Sequence, residues 1–197
     1  MGWRARIAMK VVLETPRLVL REFLAEDGDG LARVICDAET MRFYPRPFVR
    51  TDANEWIARN LQRYQDHGHG LWAMVLKESA EMIGDCGITL QTVDGEPLPE
   101  IGYHLRRDFW GRGLATEAAC ACRDWGFSNL RADFLISLIR PENQPSWRVA
   151  ERNGMTIWKQ VTHAALPHNV YRIDRSSWEG LQKKRPASTA GHRSTSR

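Results

Sequence analysis

The sequence has few cysteines and no long apolar run, and these absences exclude several kinds of protein. None of the four cysteines, Cys36, Cys86, Cys120 and Cys122, belongs to a CxxC pair or has a histidine at metal-ligand spacing. A zinc site or a disulfide framework is therefore not expected. No stretch approaches the roughly 20 apolar residues of a transmembrane helix, and the N-terminus lacks the apolar segment of a signal peptide. We expect reduced thiols, no metal, no membrane association and a cytoplasmic location.

Acidic residues are missing from both ends of the chain. The net charge is +4, with +3 in residues 1–13 and +5 in residues 183–197, so residues 14–182 carry −4. The chain ends in PASTAGHRSTSR, and these small polar residues predict that residues 183–197 form a disordered basic tail. Such a tail can attract phosphate groups, but so few charges favour a solvated end. No specific nucleic-acid partner is expected.

A chain of 197 residues with 43% apolar composition is long enough for one domain around a single core. The first half predicts a strand at RLVLREF, a short helix near residues 27–35, the FYPRPF link, and a second helix. Asp52 and Glu55 form a capping-box pattern at the start of that second helix, and HGHG ends it. Three strand-like runs, at residues 71–76, 82–90 and 99–105, then predict an antiparallel meander.

The pattern changes after the meander. The segment WGRG leads into a helix with one apolar stripe, and FLISLI at residues 134–139 predicts the next strand. A further helix is expected from Asn143 to the Asn153-Gly154 pair, and MTIWKQV with NVYRIDR predicts a closing hairpin. This second half is therefore a strand, turn, helix and strand unit followed by a hairpin.

The glycine turn between residues 110 and 114 predicts an anion site. A strand that enters a glycine turn and then a helix presents unpaired backbone N–H groups and the positive end of the helix dipole. Gly111 and Gly113 allow the backbone to approach a phosphate closely, and Arg112 adds positive charge at the rim. A phosphate-bearing ligand is therefore expected at this turn.

Two nucleotide-binding interpretations of this turn were weighed. A P-loop is excluded, because no Lys-Ser or Lys-Thr pair follows the glycines. A dinucleotide fingerprint matches better, since Asp133 lies about twenty residues beyond Gly111 and Gly113. However, Thr116 occupies the third glycine position and no second strand-helix-strand repeat is present. A nucleotide-dependent oxidoreductase stays as the less favoured alternative.

Two longer motifs resemble a known family. EIGYHLRRDFWGRGLATEA and, about thirty residues later, RPENQPSWRVAERNGM strongly resemble the GNAT N-acetyltransferases, and within them the RimJ/RimL-like branch of ribosomal-protein N-terminal acetyltransferases. The opening ETPRLVLREF extends the likeness over residues 14–178, so residues 1–13 are an N-terminal extension. The resemblance implies an α/β (α+β) GNAT fold. Its mixed, mostly antiparallel sheet would be flanked by helices and splayed between the fourth and fifth predicted strands, PEIGYHL and FLISLI.

The resemblance also implies a site for acetyl-CoA as co-substrate, without a metal. Asp108 departs from the family, which usually has Gln or Arg there, but backbone contacts to phosphate do not need that side chain. The implied pyrophosphate amides are those of Gly111, Arg112, Gly113, Leu114, Ala115 and Thr116. The implied contacts of the pantetheine arm are Tyr103, His104, Leu105, Arg106 and Asn143.

The transfer chemistry needs a neutral amine and a proton source for the leaving thiolate. Strand alternation puts Glu100 and His104 on one face, about 13 Å apart, with His104 nearer the phosphates. Glu100 is the candidate general base, acting through water, although a solvated strand carboxylate is an equal alternative. Many relatives have a tyrosine acid where this chain has Ala150, and the resemblance to the RimL-like branch suggests Ser146 as the acid instead. Asn143 and Ser146 are also ordinary helix-start residues.

The expected activity is direct attack of a primary amine on acetyl-CoA in a ternary complex. An α-amine with a pKa of about 7.7 to 8.0 loses a proton more easily than a lysine at about 10.4, which favours a peptide N-terminus or a small molecule. Phe43, Tyr44, Trp56 and Trp72 are either acceptor-pocket or core aromatics, with the core favoured. A catalytically silent acyl-CoA sensor is the other alternative. A homodimer is left open.

Overall fold

The computed structural model describes residues 10–46 and 48–184, so most of the N-terminal extension and of the basic tail lies outside it. The described residues form eight strands and five α-helices. The strands are β1 Val11–Glu14, β2 Leu18–Arg21, β3 Leu71–Leu76, β4 Glu81–Val93, β5 Glu96–Leu105, β6 Phe134–Ile139, β7 Thr156–His163 and β8 Leu166–Asp174. The helices are α1 Gly28–Ile35, α2 Arg50–His67, α3 Leu114–Asn129, α4 Gln144–Arg152 and α5 Arg175–Lys183.

The strands form one mixed sheet in the order β1-β2-β3-β4-β5-β6-β8-β7. Among the described strands, β5 and β6 are the one parallel pair, and the other neighbours are antiparallel. The predicted α/β GNAT architecture is confirmed. The doubly wound parallel sheet required by the dinucleotide-binding alternative is not formed, so that alternative is wrong.

The sheet begins earlier than the sequence predicted. β1 pairs with β2, with Glu14 opposite Val19 and Leu13 opposite Leu20, although residues 11–13 had been assigned to the N-terminal extension. Its apolar run Val11–Leu13 has no alternating pattern, so it gave no strand signal. At the other end, α5 extends to Lys183, beyond residue 178. Because of β1, the fourth and fifth predicted strands are β5 and β6 here.

The two edges of β5 differ sharply in pairing. Ten residue pairs join β5 to β4, whereas Glu100↔Ile136 is the one register pair recorded between β5 and β6 in the described sheet. Around that point, the Ser137 hydroxyl donates to the Ile101 carbonyl at 2.7 Å. The strands part beyond it toward their C-terminal ends, as the GNAT resemblance implied.

Helices cover both faces of the sheet. On one face, Ala118 and Cys122 of α3 are fully buried in a cluster with Ile88 and Leu135. On the other face, α1 and α2 bury a second apolar cluster that includes Leu31, Val34, Ile35, Ala53 and Ile57. This arrangement leaves the gap between β5 and β6 open at one end and lined by different helices on its two sides.

Helix α2 starts slightly earlier than predicted and ends as predicted. Asp52 is the third helical residue and not the cap; its carboxylate accepts from the Val49 amide at 2.7 Å and pairs with Arg46. A carboxylate in the first turn is favourable there, because it faces the positive end of the helix dipole. Gly68 ends the helix with φ 75°, a left-handed conformation that suits glycine. None of the described helices is both long enough and apolar enough to cross a bilayer.

Candidate active site

The gap between β5 and β6 opens into a cavity of about 1190 Å³. Its walls come from β5, β6, α2, the start of α3, the start of α4 and the tip of the β7–β8 hairpin. Arg106 does not line this cavity; it lines a separate surface depression. The other predicted site residues all line it: Glu100, Tyr103, His104, Leu105, Gly111, Arg112, Gly113, Leu114, Ala115, Thr116, Asn143 and Ser146.

The glycine turn has the backbone geometry of an open cradle. Gly111 and Gly113 have φ angles of 74° and 75°, in the left-handed region where side chains are strained. Helical hydrogen bonding begins at Glu117, whose amide donates to the Gly113 carbonyl at 3.0 Å. Within residues 10–46 and 48–184, the amides from Gly111 to Thr116 donate to no protein acceptor. A Cβ built on Gly111 would meet no atom within 4 Å. Six consecutive amides are therefore free at one end of the cavity.

The edge of β5 that faces the gap is partly occupied. The Arg106 amide donates to the Ile83 carbonyl of β4 at 2.8 Å, so by alternation the backbone groups of Tyr103 and Leu105 face the gap. The Trp110 indole donates to the Leu105 carbonyl at 2.7 Å. The Tyr103 hydroxyl crosses to α4 and donates to the Ser146 carbonyl at 2.6 Å. The main-chain groups of Tyr103 and the amide of Leu105 remain directed toward the gap.

Glu100 lies where β5 and β6 part. One of its carboxylate oxygens accepts from the Leu138 amide of β6 at 3.0 Å, so the side chain continues the pairing that the backbone has ended. Burial raises the pKa of Glu100 above the ordinary carboxyl value, although hydrogen bonds from Leu138 and Gln91 oppose this shift. The group is thus held in the gap with an increased proton affinity.

His104 has protein partners on both ring nitrogens. Its Nδ1 lies 2.7 Å from Oδ1 of Asp85, and its Nε2 lies 2.6 Å from the Tyr44 hydroxyl. Burial of the ring lowers the pKa of His104, but the charge and hydrogen bond of Asp85 raise it more, so that it lies above the ordinary histidine value. The side chain projects toward α2 and the residue 37–49 connection. Its predicted position along β5, nearer the glycine turn than Glu100, is observed, but its side chain is engaged away from the turn.

A model of the GNAT acetyltransferase domain matches residues 17–156 of this chain. The chain belongs to the GNAT acetyltransferase family. The match spans both motifs quoted above, and it confirms the predicted family and enzyme class. The match ends at the first residue of the closing hairpin, Thr156, and the hairpin strands β7 and β8 complete the sheet.

This GNAT chain is similar to proteins from several bacteria. It is 34% identical over 163 residues to the uncharacterized protein YkkB of Bacillus subtilis (strain 168), covering 82% of this chain and 95% of YkkB. A crystal structure of an acetyltransferase from Agrobacterium tumefaciens str. C58 has 30% identity and a TM-score of 0.69, covering 83% and 94% of the two chains. RimL, a ribosomal L7/L12 alpha-N-protein acetyltransferase solved with coenzyme A, shares the fold at 16% identity and a TM-score of 0.68, covering 85% and 99%.

The family departure at Asp108 has a local explanation in this acetyltransferase. Arg106 pairs with Asp108 at 2.7 Å and with Glu81 at 2.5 Å. The Arg106 guanidinium also lies 4.6 Å from the centre of the Phe109 ring. The pair with Arg106 lowers the pKa of Asp108. Both charged side chains are thereby held outside the cavity.

Asn143 and Ser146 lie at the start of α4, on the opposite side of the gap. Asn143 caps the helix, because its side chain accepts from the Ser146 amide at 3.3 Å. In the part of the chain that the structure describes, the Ser146 hydroxyl has no hydrogen-bond partner. Ala150, at the position of the family's tyrosine, is fully buried in the core. Asn143 therefore has a structural role as the N-cap of α4, and the Ser146 hydroxyl stays available to a ligand.

The predicted acceptor aromatics divide between the cavity and the core. Phe43, Tyr44 and Trp56 line the cavity. Trp72 is 1% exposed and packs against Trp125 with ring centres 4.9 Å apart, so it is a core residue. Sequence spacing could not separate these cases, because a strand buried on both faces gives the same pattern as a cavity wall.

A clamp behind the glycine turn was missed by the sequence analysis. Glu117 accepts hydrogen bonds from the Thr15 hydroxyl at 2.6 Å and from the Arg17 guanidinium at 2.7 Å. The Arg17 guanidinium also donates to the Arg112 carbonyl at 2.9 Å. The ETPRL segment before β2 therefore fixes the position of the turn from about one hundred residues away. The structure places no three His, Cys, Asp or Glu side chains of the described residues in a metal-binding group.

Proposed function

We propose that this chain transfers the acetyl group of acetyl-CoA to a primary amine by direct attack in a ternary complex. The acceptor is a protein N-terminal α-amine or a small molecule with an amine of similar pKa. One observation carries the proposal: six free amides lie at one end of a cavity whose other end holds Glu100, at the point where β5 and β6 part.

The coenzyme would bind through the backbone. The amides of Gly111 to Thr116, at the N-terminus of α3, suit a pyrophosphate, since both the N–H groups and the helix dipole favour negative charge. The pantetheine arm would pair with the free backbone groups of Tyr103 and the free amide of Leu105, and Asn143 would contact it from α4. From Leu105 back to Glu100 the strand spans roughly 17 Å at strand rise, so the thioester would lie near Glu100. That RimL was solved with coenzyme A agrees with this use of the fold.

Glu100 would take the proton that the amine loses on attack, directly or through one water. Its raised pKa makes it a stronger base than an exposed carboxylate. The difference between an α-amine and a lysine corresponds to roughly 3.4 kcal/mol at 1.36 kcal/mol per pKa unit. A single carboxylate of this kind therefore suits an α-amine or another amine of low pKa.

Ser146 would protonate the leaving thiolate. Its hydroxyl lies at the N-terminus of α4, on the side of the gap opposite β5, and the buried Ala150 leaves no tyrosine nearby on α4 for this role. None of the four cysteines belongs to the cavity wall of the described residues. A route through an acetylated cysteine therefore has no residue to carry it, and direct transfer is the proposed route.

The proposal is tested with the full chain. Isothermal titration would measure coenzyme A binding, and thiol release would be followed with ribosomal-protein N-terminal peptides, polyamines and amino-sugar antibiotics, with mass spectrometry to detect the added acetyl group. We expect coenzyme A binding and acetylation of at least one low-pKa amine. Absence of coenzyme A binding would overturn the proposal.

A silent acyl-CoA sensor is the second candidate, favoured by the loss of the family's tyrosine at Ala150. It predicts tight coenzyme A binding with thiol release at the rate of hydrolysis for every amine tested. The same two measurements therefore separate an enzyme from a sensor.

A further inference from the structure

A connected cluster of polar side chains lies beside the proposed chemistry. Asp85 of β4 is completely buried, yet both of its carboxylate oxygens accept hydrogen bonds. Oδ1 accepts from His104, its direct neighbour in the β4–β5 register, and Oδ2 accepts from the Trp56 indole at 2.8 Å. The His104 ring then reaches the Tyr44 hydroxyl. Asp85, His104 and Tyr44 thus form a chain from the interior to the cavity wall.

The donors in this chain can be assigned. An ionised Asp85 only accepts, so His104 donates Nδ1–H to it and, when neutral, accepts at Nε2. The Tyr44 hydroxyl therefore donates its proton to Nε2, at an oxygen–nitrogen distance of 2.6 Å. The Tyr44 oxygen keeps its lone pairs for another donor. This is the order of groups by which a buried carboxylate holds an imidazole ready to accept a proton.

The position of the cluster is what a proton acceptor for the amine needs. Tyr44 and His104 line the same cavity as Glu100, whereas Asp85 lies behind them and outside its wall. Tyr44 is 38% exposed, in the connection between α1 and α2, while Asp85 is 0% exposed. A purely structural cluster would not require its outermost hydroxyl at the cavity where the acceptor would enter.

We propose that Tyr44, His104 and Asp85 form a proton relay that deprotonates the acceptor amine, with the Tyr44 hydroxyl in contact with the amine. The relay rests on the proposed acetyl transfer. Before the attack, an N–H bond of the ammonium form of the acceptor breaks and its proton joins the Tyr44 oxygen, whereas Glu100 takes the second proton as the nitrogen bonds to the thioester carbon. The former Tyr44 proton moves to Nε2 of His104, giving an imidazolium paired with Asp85. Water removes this proton after the amide product forms.

The relay predicts a particular dependence on pH. The groups around His104 are Asp85 from β4, Tyr44 from the connection, and Glu100 from its own strand; Arg59 and Arg63 of α2 line the same cavity. The relay accepts a proton only when His104 is neutral, so activity rises as pH increases through the His104 pKa. Loss of the Asp85 charge lowers that pKa, and Asp85→Asn should shift this rise to lower pH.

The test measures kcat, KM and coenzyme A affinity from pH 5 to 10 with the best acceptor. We expect Tyr44→Phe and His104→Gln each to lower kcat about 100-fold, within the usual range for proton-transfer groups, with unchanged coenzyme A affinity. His104→Gln should also remove one step of the acid limb. His67→Gln, at the exposed end of α2 and outside the cavity wall, is the matched control and should behave as wild type.

Each result has one meaning. A wild-type kcat in Tyr44→Phe, or an unchanged acid limb in His104→Gln, overturns the relay while acetyl transfer by the wild type stands. A rate loss with an unchanged acid limb and a lower melting temperature assigns the cluster to packing, which also overturns the relay. If the wild type acetylates no amine, the proposed function fails first. For variants that fold poorly, NMR titration of the His104 ring in wild type decides: a ring whose charge does not respond to acceptor binding excludes the relay.

Discussion

At one end of the cavity the polar groups are main-chain amides of six consecutive residues, Gly111 to Thr116. At the other end they are the side chains of Tyr44, Glu100 and His104 from separate segments, with Asp85 buried behind His104. The first end is a product of local backbone conformation and depends little on side-chain identity. The second end exists only because distant segments meet. A co-substrate shared across a family suits the backbone end, whereas acceptor choice and proton transfer suit the side-chain end.

The largest effect should come from Gly111→Val at the backbone end. A branched side chain would enter the space left for phosphate and strain a residue with φ 74°. We expect coenzyme A affinity to fall at least about 100-fold, or about 2.7 kcal/mol, by isothermal titration. Gly95→Val is the control, because Gly95 has φ 86° with no atom near its Cβ and lies in the β4–β5 turn. Retained affinity in Gly111→Val would remove the cradle from the proposal.

At the side-chain end, Glu100→Gln should lower kcat about 100-fold while coenzyme A affinity stays the same. Glu100 acts when deprotonated, so activity rises with pH through its raised pKa, and the variant should lose that step. His104 should contribute a separate step, which Glu100→Gln leaves in place. Glu96→Gln, an exposed carboxylate of the same strand, is the control. An unchanged pH–rate profile in Glu100→Gln would exclude Glu100 as the base.

Ser146→Ala tests the proton source for the thiolate. The helix cap uses the Ser146 amide and not its hydroxyl, so the variant should keep its melting temperature. We expect kcat to fall about tenfold, since water can replace a neutral donor in part. The measurement is thiol release with the best acceptor at saturating acetyl-CoA. A wild-type kcat would assign thiolate protonation to water.

The smallest effect should come from Arg17→Ala, which removes the clamp behind the backbone end without touching the cavity. Because Arg17 is about half exposed, its ion pair is worth little alone, but it also holds the Arg112 carbonyl. We expect coenzyme A affinity to fall about threefold to tenfold with kcat nearly unchanged. Lys10→Ala, which removes the exposed pair with Glu22, is the control. Equal effects in the two variants would show that the clamp does not position the turn.

Features formed by residues close together in the sequence were predicted better than features formed by distant residues. Most helices and strands were anticipated from periodicity, which is a local signal, whereas the gap between PEIGYHL and FLISLI was implied by the resemblance of two motifs to the GNAT family. β1 was missed, since three successive apolar residues show no alternation. Arg106 was predicted to contact the coenzyme, yet its amide faces β4 and its guanidinium pairs with Asp108 and Glu81. Neither the direction of the Arg106 amide nor the pairing of its guanidinium can be inferred from the motif.

The sequence by itself determined the glycine turn and the two motifs that resemble the GNAT family, because each consists of residues that are neighbours along the chain; the gap followed from that resemblance. Only the tertiary structure decided which titratable groups act together. His104 meets Asp85 across a strand pair and Tyr44 from a connection 60 residues earlier. It also decided that Trp72 belongs to the core and Trp56 to the cavity wall. Contacts of this kind arise from packing, which sequence spacing does not encode.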